Sequence, residues 1–266
     1  RNKEYVSEIK TDYADFREKF LNRAIDKEYV SIEEARAQKF TIDWEKENIH
    51  QPNKLGIHVI ESQDLNELVD YIDWSPFFRS WDLHGKFPDI LEDKVVGEQA
   101  TELYHDVQIL LKKVLKEKLF EAKAIFGIFP AQADGDDIII QQVTTKNELA
   151  RFRTLRQQAK RSNGKEYFAL SDFIAPQSTG KQDYIGCFCV TTGFGTDELA
   201  KQYEENHDDY TAIMVKALAD RFAEAYAEFL HKKVRKEYWG YASDETLDND
   251  ALIKEKYIGI RPAPGY

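Results

Sequence analysis

One stretch constrains this chain more than any other: residues 208–237 read as a single long helix with an apolar stripe. Leu218, Phe222, Ala225 and Phe229 recur at steps of three and four, so they share one side of an α-helix. A stripe of that length has to bury itself against other elements. Residues 97–119 repeat the pattern over a second amphipathic helix. Short apolar runs at 56–61, 122–129, 138–143 and 183–192 read as strands. Pro130 and Asp134-Gly135-Asp136-Asp137 interrupt the middle pair, which predicts two strands around an irregular loop. Strands mixed with helices, without regular strand–helix–strand spacing, predict an α+β class rather than a doubly wound parallel sheet. No repeat, low-complexity segment or linker divides the 266 residues, so one domain over 1–266 is the simplest organisation.

Local signals fix several boundaries. Tyr5, Ile9, Phe16 and Phe20 stand at helical intervals in a highly charged N-terminal region. Ser31-Ile32-Glu33-Glu34 has the form of a capping box that opens a second short helix. These helices within residues 1–40 read as a cover, or as an interface to a preceding domain. Asp64 is placed as the N-cap of a helix reaching about Tyr71. The proline after Ser75 is expected to push that serine out of helical geometry.

Composition then excludes several functions. The net charge is −11, from 37 basic and 48 acidic residues, which argues against nucleic acid and against an anionic membrane surface. No apolar run is long enough to span a bilayer. The chain opens on Arg1 in a charged segment, which predicts no signal peptide and a piece of something longer. Cys187 and Cys189 alternate along a strand and so share a face, a poor geometry for bridging each other. They read as buried free thiols without a metal, in a reducing compartment such as the cytoplasm. Gly193-Phe194-Gly195 follows a strand but lacks the spacing of a phosphate loop. No zinc-protease motif or serine nucleophile elbow occurs, and no catalytic residue is assigned.

Two segments carry chemistry instead. Asp73-Trp74-Ser75-Pro76-Phe77-Phe78, continuing to Trp81 and His84-Gly85-Lys86-Phe87-Pro88, sets a carboxylate among aromatics. Gly259-Ile260-Arg261-Pro262-Ala263-Pro264-Gly265-Tyr266 sets an arginine on a stiff, proline-held segment. Together they have the groups to hold an amino acid by its ammonium and carboxylate ends. An aromatic cluster under a loop and a frayed tail would use the same residues.

At these residues the chain resembles the activation domain of cobalamin-dependent methionine synthase. The resemblance rests on 71–78, on 261–266, on Met214–Arg221 followed by Ala223-Glu224-Ala225, on Tyr238-Trp239-Gly240-Tyr241 and on Gly127-Ile128-Phe129, in order from about residue 40 onward. It implies a C-shaped single α+β domain with a twisted antiparallel sheet and flanking helices. It also implies binding of S-adenosylmethionine, which remethylates cobalamin held by a separate domain of the same polypeptide after oxidation to cob(II)alamin. The electron would come from flavodoxin or a flavoprotein reductase. The domain would serve methionine biosynthesis as part of a 5-methyltetrahydrofolate–homocysteine methyltransferase, without being a complete enzyme by itself.

Residue by residue, the resemblance assigns Asp73 to the ligand's amino group and Arg261 to its carboxylate. It gives backbone contacts to Ala263 and Gly265 and places Tyr266 beside the ligand. Glu224 and Glu255 would lie near the sulfonium, and Asp220 would face the cobalamin domain. Read from the helix alone, Asp220 and Glu224 belong to a solvated face. Two departures stand out: the chain stops at Tyr266 where the family continues, and Gly195-Thr196 replaces an expected acidic pair. Two other readings compete. One is a free-standing S-adenosylmethionine-dependent methyltransferase, disfavoured by the missing glycine-rich loop. The other is a docking module for a flavoprotein that binds no ligand, with the run Lys232-Lys233-Val234-Arg235-Lys236 meeting an acidic partner.

Overall fold

The computed structural model describes residues 3–22, 28–161 and 164–263. They sort into two compact units, each discontinuous in sequence: 1–48, 131–140 and 148–182 in the first, the remainder in the second. Among the described residues, no helix is long and apolar enough to cross a membrane.

The second unit holds the main core. Strand β1 (Gly56–Gln63) pairs antiparallel with the first part of β2 (Glu121–Asp134), with Gly56 opposite Ile128 and Ile60 opposite Ala124. Strand β5 (Asp183–Phe194) also pairs with β2. Helix α4 (Gly97–Glu117) buries Leu103, Val107, Leu110, Leu111 and Val114, the stripe its spacing predicts. Helix α6 (Asp209–Lys233) starts at Asp208, whose carboxylate accepts the Thr211 amide at 3.0 Å. It buries Leu218, Phe222, Ala225 and Phe229, as the stripe requires, and packs on β5 and on the shorter helix α5 (Thr196–Glu205). Past Lys233 the chain widens into one π turn, Val234–Tyr238, closed by the Trp239 amide donating to the Val234 carbonyl at 2.7 Å.

Several local expectations change in the structure. Asp64 does cap the next segment, accepting the Asn66 amide at 2.9 Å, but Leu65–Tyr71 is a 3-10 helix rather than an α-helix. Ser75 is the first residue of the short helix α3 (Ser75–Arg79) despite the following proline. A proline in the first turn lacks an N–H that would be unsatisfied there anyway, so the turn tolerates it. The proposed irregular loop is a tight hairpin. Strand β2 continues through Pro130 to Asp134, and Asp134 faces Asp137 at the start of β3 (Asp137–Gln141). Pro130 fits because the β1 pairing ends at Ile128 and the β3 pairing begins at Ala131, so neither needs its missing donor.

The first unit contains α1 (Lys3–Asn22), α2 (Ile32–Ala37), the far end of β2 with most of β3, and β4 (Glu148–Arg153). Ser31 caps α2 by accepting the Glu34 amide at 3.1 Å. On α1, Tyr5, Phe16 and Phe20 are exposed. At the centre of this unit the Arg156 guanidinium, whose side chain is fully buried, reaches both Asp172 oxygens at 2.7 and 2.8 Å and Asp136 at 2.7 Å. Burial works against the Asp136 carboxylate, yet hydrogen bonds from Arg36 and Arg156 hold its pKa below the usual value.

The architecture is thus α+β, an antiparallel sheet flanked by helices. Cys187 and Cys189 share a face of β5, as alternation demands, but that face is exposed, and both thiols are free. Alternation tells which residues go together; it does not tell which face is covered.

Candidate functional site

The second half of α6 gathers the residues on which the reading depends. Glu224, Glu228, His231 and Arg235 follow one another at steps of four, three and four, so they form one row along the helix. Against this row the chain after the π turn folds back.

Arg235 anchors the row. Its side chain is completely buried and grips Glu245 through Nε to Oε2 at 2.9 Å and Nη2 to Oε1 at 2.6 Å. The third nitrogen, Nη1, donates to His231 Nδ1 at 2.7 Å. An arginine cannot accept, so Nδ1 is the acceptor and the imidazole carries its proton on Nε2. Burial first, and then the charges of Arg235 and Arg261, push the His231 pKa down to about 3, so the ring stays neutral. The Tyr257 ring covers the guanidinium at 4.4 Å and meets His231 edge-on at 4.8 Å.

The same row receives Arg261. Gly259 turns the chain before it, with φ +98°, and an added Cβ there would lie 2.8 Å from the Tyr241 hydroxyl. Arg261 then pairs with Glu228 through Nη2 and Oε1. Arg261 Nη1 and Glu228 Oε2 are buried and have no hydrogen-bond partner among the described residues. Burial raises the Tyr257 phenol pKa; Arg261 pulls it down while Glu228 and Glu255 push it up.

Asp73 arrives from the other side of the sequence. It sits half-buried between the 3-10 helix and α3, where its Oδ1 accepts the Ser75 amide at 2.9 Å. Two residues earlier, Tyr71 meets Phe229 edge-on at 5.4 Å and accepts a hydrogen bond from Lys232 Nζ at 3.1 Å. Tyr71 on one side, and Tyr257 and Arg261 on the other, therefore meet neighbouring turns of α6, while Asp73 itself is tied to Ser75. The aromatics that follow Asp73 are core: Trp74, Phe77 and Phe78 are buried, and Trp74 meets Tyr104 at 5.5 Å.

Of the other expected residues, Glu224 is half-buried one turn before Glu228, whereas Asp220 is exposed. Glu255 is exposed in the turn after the short helix α7 (Asn249–Ile253). Ala263 is exposed, and Gly265 and Tyr266 lie outside the described residues. The basic run 232–236 is not a free cationic patch. Arg235 is buried against Glu245, Lys236 Nζ donates to the Glu245 carbonyl, Lys232 lies over Tyr71 and Lys233 over Phe229. Glu228, His231, Glu245 and Tyr257 escaped the sequence reading. The spacing from Glu224 to Glu228 was the one available signal, and it marks equally a solvated face.

Fold and site together define an α+β domain whose longest helix carries a charge-paired polar row. The chain belongs to the family described as vitamin B12 dependent methionine synthase, activation domain, which matches residues 64–266. A solved structure described as the MetH reactivation domain bound to AdoHcy is similar to it. The two share 47% identity at a TM-score of 0.85, over 90% of this chain and 73% of the other.

Proposed function

We propose that this chain binds S-adenosylmethionine and presents it for reductive remethylation of the cobalamin of methionine synthase. The observation that carries the reading is the similarity, at 47% identity, to a reactivation domain solved with AdoHcy, the demethylated form of that ligand. The residues fit the group. A half-buried arginine with one nitrogen buried and unpartnered among the described residues is suited to a carboxylate, and its planar fork gives that contact direction. Asp73, with one oxygen committed to Ser75, suits the ammonium. Glu224, half-buried on the same row, suits a sulfonium. Glu255, Ala263, Gly265 and Tyr266 complete the proposed contact set.

In this reading the sulfonium supplies the methyl group, and cobalamin in a separate domain accepts it. What this chain contributes is orientation. Asp73 and Arg261 fix the two ends of the amino-acid moiety, and transfer between two held groups gains chiefly from being positioned. No acid or base is needed on the protein, because the nucleophile is the cofactor's own. The chain would act as one module over 1–266 within 5-methyltetrahydrofolate–homocysteine methyltransferase, with flavodoxin or a flavoprotein reductase as electron donor. Two free thiols support a reducing compartment, the cytoplasm.

Calorimetric titration with S-adenosylhomocysteine and S-adenosylmethionine tests the reading. Arg261→Ala should weaken both by about 2–4 kcal/mol, since a desolvated carboxylate would lose its charge partner. Equal affinity in a correctly folded Arg261→Ala protein would refute the assigned pose.

A further inference from the structure

Two ion pairs stand two turns apart, one on α6 and one on the π turn that follows it, and they are built differently. Arg235 and Glu245 meet fork to fork, with two nitrogens on two oxygens. Arg261 and Glu228 share one contact, Nη2 to Oε1, and keep Nη1 and Oε2 buried without partners. A pair that served only to fasten the chain would gain from the fork-to-fork form found next to it, since buried polar groups in native proteins are almost always satisfied. Among the described residues the unmet nitrogen of Arg261 is one of a few such atoms, and the one that belongs to a cation.

We propose that Glu228 is a positioning residue: it holds Arg261 by Nη2 so that Nη1 is kept for the carboxylate of the bound ligand. This rests on the reading of the chain as an S-adenosylmethionine-binding domain. The need for such a residue follows from local structure. Arg261 is only half-buried and is followed by the exposed Pro262 and Ala263, so its own segment offers little to fix a long side chain. Glu228 stands on the second turn from the end of the longest helix, between Tyr226 and Phe229, both buried. A guanidinium tied to that rigid helix loses less freedom when the ligand arrives. The neighbouring Arg235–Glu245 pair and the Tyr257 ring hold the returning chain in place.

The test compares S-adenosylhomocysteine with its decarboxylated analogue, which lacks the group that Arg261 would hold. The wild-type chain should prefer the carboxylated ligand, and Glu228→Gln should reduce that preference about tenfold while the analogue binds as before. In an Arg261→Ala background, Glu228→Gln should leave the preference unchanged. A purely structural role for Glu228 would weaken both ligands equally and leave their ratio intact, which would overturn the inference. An undiminished or increased preference in Glu228→Gln would overturn it as well. Should Glu228→Gln not fold, Glu228→Asp, which keeps the charge but withdraws it by one methylene, is read in the same way. Failure of the wild-type chain to bind S-adenosylhomocysteine at all would instead remove the ligand reading and take this inference with it.

Discussion

Replacing Glu245 with alanine strands a buried cation, and the structure sets the scale of the damage. Arg235 is fully buried and Glu245 is 7% exposed, so water cannot take over the lost contact without opening the core. Two charge-assisted hydrogen bonds vanish together, at 2.9 and 2.6 Å. Each such bond contributes about 1.5–3 kcal/mol. Removing one partner of a buried pair costs about 3–5 kcal/mol, because the other charge stays buried and unpaired. The two estimates agree in size. For a chain of this length that corresponds to a melting point lower by roughly 6–20 °C. Urea denaturation followed by tryptophan fluorescence reads the right region, since Trp74, Trp81 and Trp239 all belong to the second unit. Replacing both charges, Arg235→Met with Glu245→Leu, should recover much of the loss, because no ion is then left without a partner. A loss below about 1 kcal/mol in Glu245→Ala would refute the reasoning, since it would mean that solvent reaches Arg235.

Three further outcomes follow from the same structure. His231 is neutral in the folded chain with its pKa near 3, while the unfolded chain takes up a proton near pH 6.5. Its contribution to stability is therefore full above about pH 6.5 and is lost by about 1.4 kcal/mol per pH unit as the pH falls toward 3. His231→Gln should flatten the stability profile in that window, and identical slopes for the two proteins would contradict the assignment. Gly195 sits at φ +88° before α5, and an added Cβ would lie 2.3 Å from the Leu119 carbonyl oxygen. Gly195→Ala should therefore cost more than about 2 kcal/mol in urea titration, with a loss under 0.5 ruling out the close approach. In the first unit, Asp172→Ala removes two hydrogen bonds from the buried Arg156 and should cost about 3–5 kcal/mol. Hydrogen exchange across residues 148–182 measures this, and unchanged protection there would show that the pair does not hold the unit together.

The candidate site was legible in part, and the division follows the physics. Arg261 and Asp73 could be singled out because an arginine on a proline-held segment and a carboxylate among aromatics are locally unusual. Their resemblance to a known family then gave them roles. Glu228 looked like any other helical glutamate. Its partner lies 33 residues further on, and nothing local announces that pairing. The run 232–236 misled for the same reason: five residues rich in cations read as a solvated helix end, yet Arg235 turns inward because Glu245 waits for it beyond the π turn. Cys187 and Cys189 were paired correctly on one face and assigned to the wrong one.

What the sequence determined by itself is what short-range periodicity can encode. The stripes of α4 and α6, the caps at Ser31 and Asp64, and the positions of β1, β2, β3 and β5 follow from steric rules acting over a few residues, whereas β4 carried no such signal. Only the tertiary structure decided which charges are buried, which sheet face stays bare, and that Tyr71 and Arg261 meet neighbouring turns of one helix. Those outcomes depend on contacts between residues far apart in the chain. Burying a charge is favourable only when its partner has also been brought there, and no local pattern records that.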